Sequence, residues 1–326
     1  MDWRTTSQTD SPLFGRLDGI QSVLDPHSPQ AEAILSLGNW IFAGGTLIFI
    51  MVMSLLAFAI LSRRRHTPLR STTFIAILGF VFPAVTLGVL MVFTIIVSLR
   101  ISEAPGEDAL RIHVTGHMWW WEVVYEGPDG QPVETANELH LPQGRPVVIT
   151  VTTSDVIHSF WIPGLAGKID MVPGHVNTVS FTPTKRGLMR GQCAEFCGAQ
   201  HAKMAFYAVV EPQERFEEWL ARQASPAREP IVDLHEAGRT AFLEQGCGSC
   251  HAVRGLPGAE GEIGPDLTHV GSRLSLGAGW LDGSVGNLAG WIASAQHIKP
   301  GNRMPSFDRM DGPTLRALAA WLESLE

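Results

Sequence analysis

Two long stretches of this chain carry no charge. Residues 33–62 and 71–99 consist largely of Leu, Ile, Phe, Val, Met and small residues, without a single Asp, Glu, Lys or Arg. Each exceeds the ~20 residues an apolar helix needs to cross a bilayer core, and helices satisfy their own backbone groups in lipid. Between them stand Arg63, Arg64, Arg65, His66 and Arg70. A short cationic loop of this kind stays on the cytoplasmic side. The pattern therefore predicts a transmembrane helical hairpin over 33–100, with both ends outside and an extracytoplasmic segment 1–32 ahead of it. The first run is too long, and its leader too polar, for a cleaved signal peptide. Pro83 falls inside the second span, where a membrane helix tolerates it and kinks.

From about Asp108 the periodicity shortens. Leu110–Val114, Trp119–Tyr125, Val147–Thr152, Thr178–Thr182 and Ala205–Val210 are short β-branched and aromatic runs. Gly127-Pro-Asp-Gly130 and Pro142-Gln-Gly144 stand between them. Strands at this spacing predict an all-β sandwich over 101–223, closed by a helix from Glu214 to Arg222. Ala224 to Pro230 reads as linker, within 224–232. Beyond it, 233–326 is helical: Leu234–Gln245 forms one helix, and a last one starts from an Asp311 cap with Pro313 in its first turn. Leu315, Leu318, Leu322 and Leu325 keep one face of that last helix apolar.

Charge narrows the class of partner. The chain carries 24 Lys and Arg against 32 Asp and Glu, a net −8, and both segments after the membrane hairpin are acidic. Phosphate binding wants a basic face, so nucleic acid is not a partner. An acidic face suits a basic redox protein.

There are four cysteines, and they fall into two metal-binding signatures. Cys247-Gly-Ser-Cys250-His251 is the attachment signature of a c-type haem: two thiols form thioethers and His251 is placed as an axial iron ligand. Met304, in the stiff loop Lys299-Pro-Gly-Asn-Arg-Met304-Pro305, is the candidate second axial ligand, which raises the reduction potential. Met310, His269 and His297 are its rivals. Cys193 and Cys197 share a short stretch with His201 and Met204, and His158 lies 35 residues upstream of Cys193. Thiolate, imidazole and thioether together are the donor set of electron-transfer copper. Two thiolates bridge two metals, which predicts a dinuclear centre with the Glu195 main-chain carbonyl as a further donor. A disulfide between the two cysteines, or a zinc ion on two Cys and two His, uses the same residues.

The segments Asp155-Val-Ile-His-Ser-Phe-Trp-Ile-Pro163, Lys168-Ile-Asp170 with Val172-Pro-Gly174, Gly116-His-Met-Trp-Trp-Trp121 and Cys193–Met204 together resemble cytochrome c oxidase subunit II, over residues 33 to about 220. The last 95 or so residues resemble a class I cytochrome c, with Gly238, Phe242 and Trp321 at its helix-crossing positions and Ile263-Gly-Pro-Asp-Leu267 as its haem-edge loop. The resemblance implies a multidomain chain: a membrane hairpin, a cupredoxin-like sandwich and an all-α cytochrome c domain. It implies a CuA-type dinuclear copper centre on His158, Cys193, Glu195, Cys197, His201 and Met204, one haem c on Cys247, Cys250, His251 and Met304, and a magnesium ion on the Glu195 side chain at the boundary with the catalytic subunit. Trp119 matches the tryptophan through which electrons enter. The whole resembles the fused subunit II of a caa-type haem-copper oxidase in a bacterial inner membrane. Its expected partners are catalytic subunit I, other oxidase subunits, lipid, and a soluble cytochrome c or a quinol-oxidising complex as donor. Two features depart from the family. Phe74-Ile-Ala-Ile77 lacks the acid that many members carry there, which keeps open a CuA-bearing nitric oxide reductase as the destination; a membrane-anchored copper carrier is the other alternative. His175 stands where Arg is frequent.

Overall fold

The computed structural model describes residues 20–62, 72–101 and 106–326. The arginine-rich loop behind the predicted topology lies outside the described residues, as does most of segment 1–32. The first uncharged run forms α1 (Pro29–Leu61). The Ser28 hydroxyl caps it by accepting from the Ala31 amide at 3.0 Å, and Pro29 sits where no amide hydrogen is needed. The second run is one apolar span, Thr72–Ile101, divided into α2 (Thr72–Ala76), a π turn (Ile77–Val81) and α3 (Phe82–Ile101). The irregularity expected at Pro83 takes the form of this π turn: a proline cannot donate back along the helix, and the preceding turn widens. Side chains of both spans face outward, Phe42 at 78% and Phe80 at 75% exposed. Lipid is the solvent that suits such a surface.

The sandwich has two five-stranded sheets. One runs β3–β2–β1–β5–β8, from β1 (Leu110–His117), β2 (Trp120–Glu126), β3 (Pro132–Ala136), β5 (Val147–Thr153) and β8 (Asn177–Phe181). The other runs β4–β10–β9–β6–β7, from β4 (Glu138–Pro142), β6 (His158–Trp161), β7 (Ile169–Met171), β9 (Gly187–Cys193) and β10 (Ala205–Glu211). Pairing is antiparallel except for β1 with β5 and β4 with β10. In β1, Leu110, Ile112 and Val114 turn inward and alternate with exposed Arg111 and His113, the period-2 signal of a half-buried strand. Trp121, Phe160 and Phe206 fill the space between the sheets, with centroids 4.9–5.9 Å apart. Trp120 instead stacks on His117 at 4.3 Å. Trp121 is thus a core residue of the sandwich, while Trp120 is half-buried.

The outer end of α1 is sewn to the sandwich. The His27 amide donates to the Gly164 carbonyl and the Thr184 amide to the His27 carbonyl, both at 2.7 Å. The sandwich and the N-terminal end of α1 thus share one side of the membrane spans. After β10, α4 (Gln213–Ala224) lays Phe216 and Trp219 on Tyr125.

The C-terminal body is helical: α5 (Asp233–Glu244), α6 (Val285–Ile298) and α7 (Gly312–Glu323). Helices α5 and α7 cross at Gly238, where a Cβ would stand 2.2 Å from the Ala317 carbonyl oxygen. Beside the crossing, Phe242 meets Trp321 edge-on at 5.2 Å. Asp311 caps α7 through the Thr314 amide at 3.1 Å. Leu318, Leu322 and Leu325 are buried, with Leu315 packed partly against them. The stretch between α4 and α5 is irregular yet tethered, the Ala227 amide donating to the Arg254 carbonyl at 2.8 Å.

Candidate metal centres

His158 opens β6, Cys193 ends β9, and the loop from Cys193 to Met204 leads into β10. Because β6 and β9 are paired neighbours, with Phe160 opposite Cys193, residues 35 apart meet at one end of the sheet. The two sulfurs lie 3.7 Å apart, far beyond the ~2.05 Å of a disulfide, so the cysteines are free thiols. Around them converge His158 Nδ1, 3.8 Å from Cys193 Sγ, and His201 Nδ1, 3.5 Å from Cys197 Sγ. The Glu195 carbonyl oxygen is 3.2 Å from Cys193 Sγ, and Met204 Sδ is 3.8 Å from Cys197 Sγ. His158, Cys193 and Cys197 are buried and offer donor atoms within 4.8 Å of one another.

Electrostatics agree with a thiolate site. Contact with the Cys197 thiol is the main cause that brings the Cys193 thiol well below its ordinary value, and the same contact pushes the Cys197 thiol up. Two sulfurs that share one proton in this way would hold a metal as thiolates once that proton is released. Asp155 accepts from His158 Nε2 at 2.9 Å, which leaves Nδ1 free toward Cys193. All six predicted donors are thus brought together, with His158 on one thiolate and His201 on the other. The Glu195 residue is exposed, while its carbonyl faces the Cys193 sulfur. Soft sulfur pairs flanked by imidazoles fit copper.

Trp119 adjoins this site. Its indole Nε1 donates to the Cys197 carbonyl at 2.8 Å, Gly198 lies against its ring, and it is buried.

In the helical body, α5 ends at Glu244. The left-handed Gly246 then turns the chain into a 3-10 turn, Cys247–Ser249. The His251 amide bonds back to the Cys247 carbonyl at 3.0 Å. His251 Nδ1 bonds to the Pro265 carbonyl at 2.8 Å, which fixes the tautomer and leaves Nε2 as the ligand atom. Burial lowers the His251 pKa, so the imidazole stays neutral, as a metal ligand must. A Cβ at Gly264 would stand 2.5 Å from the His251 ring; glycine alone lets that loop lie on the imidazole. Met304 packs partly against the same core, and its loop is tied to α6: Gln296 Nε2 donates to the carbonyls of Asn302 and Met304, each at 2.7 Å. Met310 also packs on that core. His269 bonds through Nε2 to the Ser225 carbonyl at 3.0 Å, and His297 is exposed on α6. Arg273 is buried, and its Nε has no partner among the protein groups; a buried cationic donor of this kind fits the carboxylate periphery of a haem. The residues fit a covalently attached haem, with the His251 imidazole neutral and held by Pro265.

Four contributors escaped the sequence reading. Asp155 was legible in principle, as a carboxylate three residues before a candidate histidine. Lys299, Gln200 and Lys203, which join the two sites, carry no sequence signal because their partners are backbone carbonyls distant in the chain.

Comparison with known proteins matches two stretches of the chain to described families. Residues 125–211 match the family described as Cytochrome C oxidase subunit II, periplasmic domain, and residues 235–326 match Cytochrome c. A protein of Alkalihalophilus pseudofirmus named Cytochrome c oxidase subunit 2 is 33% identical over 325 residues, covering 94% of this chain and 91% of that protein. One of the same name from Bacillus subtilis is 30% identical over 270 residues, covering 78% of this chain and 75% of the relative. Among solved structures, the periplasmic domain of subunit II of cytochrome oxidase from Bradyrhizobium japonicum is 32% identical, with a TM-score of 0.34, covering 36% of this chain and 94% of that one.

Proposed function

Because this chain belongs to the cytochrome c oxidase subunit II family, with a cytochrome c domain following its copper-type domain, we propose that it gathers electrons at a haem c, relays them through a dinuclear copper centre, and delivers them to catalytic subunit I of a haem-copper oxidase that reduces dioxygen. The observation that carries this reading is the joining of the two candidate sites by hydrogen bonds within one chain. Gln200 Nε2 donates to the Pro300 carbonyl at 2.7 Å, and Lys203 Nζ to the Ile298 carbonyl at 2.6 Å. The loop bearing the copper donors is thereby tied to the loop bearing Met304.

Both groups supply one-electron redox chemistry when bound. The chain's own residues set the conditions for it. Asp155 and the Pro265 carbonyl orient the two histidines, paired sulfurs offer a bridge, and Trp119 bonds directly to the backbone of Cys197. His251 and Met304 are the proposed axial pair, and magnesium on the exposed Glu195 carboxylate is part of the same proposal. Phe196, 75% exposed, and Ile157, 43% exposed, flank the copper donors and give an apolar face suited to the catalytic subunit. The acidic surface suits a basic soluble cytochrome as donor. The inner membrane of a bacterium, with both redox domains outside, is the proposed location.

Metal and haem analysis of the intact complex tests this. Two copper ions and one covalent haem c per chain, with a mixed-valence two-copper paramagnetic signal and dioxygen uptake, are expected. A Cys197→Ser variant loses the delocalised signal. A single copper, zinc, or nitric oxide uptake without dioxygen uptake overturns the assignment.

A further inference from the structure

Lys299 is the least expected residue between the two sites. It lies in the loop that leads from α6 to Met304, where a lysine in a Pro-Gly turn ordinarily reaches into solvent. Here it is 2% exposed. Its Nζ donates to the Trp119 carbonyl at 2.6 Å and to the Gly277 carbonyl at 3.0 Å. One ammonium therefore spans three segments: its own loop, the turn between β11 (Ser275–Leu276) and β12 (Leu281–Asp282), and the backbone of the tryptophan beside the copper donors. Two residues on, Gly301 lies over the outer edge of the same indole, where a Cβ would stand 3.7 Å from its Cη2. Trp119 is thus bordered by Gly198 near Cζ2 and Nε1 and by the Met304 loop near Cη2 and Cζ3, and only 7% of it remains exposed.

Burying a lysine without a carboxylate partner is costly. Burial, with Lys203 nearby, lowers its pKa to about 7. A side chain serving only solubility would point outward at no cost, whereas two backbone oxygens at the junction need a donor that reaches both.

We propose that Lys299 is a positioning residue: it locks the Met304 loop onto the backbone of Trp119, so that the chain's own haem domain occupies the tryptophan and electrons cross from a preformed contact rather than a diffusional encounter. The inference rests on the reading of the two sites given above. With both groups bound, one electron would pass from the haem held by Cys247, Cys250 and His251 to the copper held at Cys193 and Cys197, and no bond would form or break. A consequence is that a soluble donor cannot stack on Trp119 and must reduce the haem. The rate of crossing scales with the fraction of molecules in the locked arrangement.

The test uses the intact oxidase complex with Lys299→Met, which keeps the side chain's length and removes its donors. The haem spectrum and the two-copper signal are recorded first; if either is missing in the wild type, the site reading has failed, and Lys299 is not what was tested. With both present, photoreduction of the haem should be followed by copper reduction roughly three- to fourfold slower in the variant, since a locked fraction of about nine-tenths falls to about a quarter when the locked-to-open ratio drops about thirtyfold. The rate should also become sensitive to added glycerol, while the wild-type rate is not. A variant rate within twofold of wild type and indifferent to viscosity overturns the lock. A second measurement needs no variant: in the wild-type complex, Lys299 should resist acetic anhydride while exposed Lys168 reacts. Equal reactivity of the two lysines overturns the proposal independently of any transfer rate.

Discussion

Replacing Asp155 by alanine isolates the support beneath the copper donors. The carboxylate holds three groups: the Met118 amide at 2.8 Å, the Val156 amide at 2.7 Å and His158 Nε2 at 2.9 Å. Burial works against its charge, but the bonds from His158, Val156 and Met118 win and hold its pKa below the ordinary carboxylate value. Removing it frees the His158 ring to rotate and to take the other tautomer, and releases the segment that carries Trp119. Loss of such an outer partner weakens metal binding about 10–100-fold, or ~1.4–2.8 kcal/mol. Two stranded amides add a stability cost of about 1–3 kcal/mol each if water does not reach them. The assay is competition for copper against a chelator of known affinity, with the paramagnetic signal recorded at each step. The expected result is a weakened site whose signal broadens as His158 loses its fixed orientation, while the haem spectrum stays unchanged. Copper affinity equal to wild type, with an identical signal, would refute the claim that Asp155 orients the ligand.

Three further outcomes follow from the same geometry. Met304→Leu should retain covalent haem, lower its potential and slow oxidation of a soluble donor; an unchanged potential in redox titration moves the axial ligand elsewhere, with Met310 the next candidate. Gly238→Ala gains up to ~1 kcal/mol of helix propensity but drives a methyl into the Ala317 carbonyl, an overpacking cost of about 1–3 kcal/mol or more; because the clash is with backbone, the melting midpoint of the haem domain should fall by several degrees, and a midpoint at or above wild type contradicts the close crossing. Burial, with Glu122 and Asp266 nearby, raises the Glu134 pKa to about 7, so between about pH 4.5 and 7 the folded state holds a proton that the unfolded state releases, and stability should fall as pH rises through that window. Glu134→Gln should flatten this slope in thermal melts; an equal slope in the variant assigns it to other groups.

The membrane spans were the most legible part of the sequence, because 29 or more uncharged residues in a row admit few other structures. The five strands expected from β-branched runs are β1, β2, β5, β8 and β10, each within a few residues. The strands that escaped have physical reasons for doing so. β4 is buried at all five positions and contains Glu138 and His140, so it shows no alternation; the two pair with each other at 2.7 Å inside the protein. β9 contains Gly187 and Gly191 and no β-branched residue, and Gly191 is required because Phe206 occupies the space of its Cβ. β6 has four residues and β7 three, too few for a period to register. α6 was not resolved as a separate helix because Gly286 and Gly290 interrupt its apolar pattern.

The candidate donors were legible because sulfur and imidazole are rare and their spacing is chemical. What lay hidden was the joint between the two sites. Lys299, Gln200 and Lys203 all bond to main-chain oxygens, and a carbonyl has no residue type for a sequence pattern to reveal. Trp119 was recognisable as a tryptophan near the site, but its cover by Gly301 depends on how the sandwich and the helical body meet.

The most direct test of the account is time-resolved photoreduction of the haem in the purified complex, monitored at both haem and copper wavelengths. The account predicts that haem oxidation and copper reduction proceed with a single shared rate, independent of protein concentration, because both centres belong to one chain in contact. A haem that reoxidises without copper reduction, or a transfer rate that rises with concentration, would contradict it.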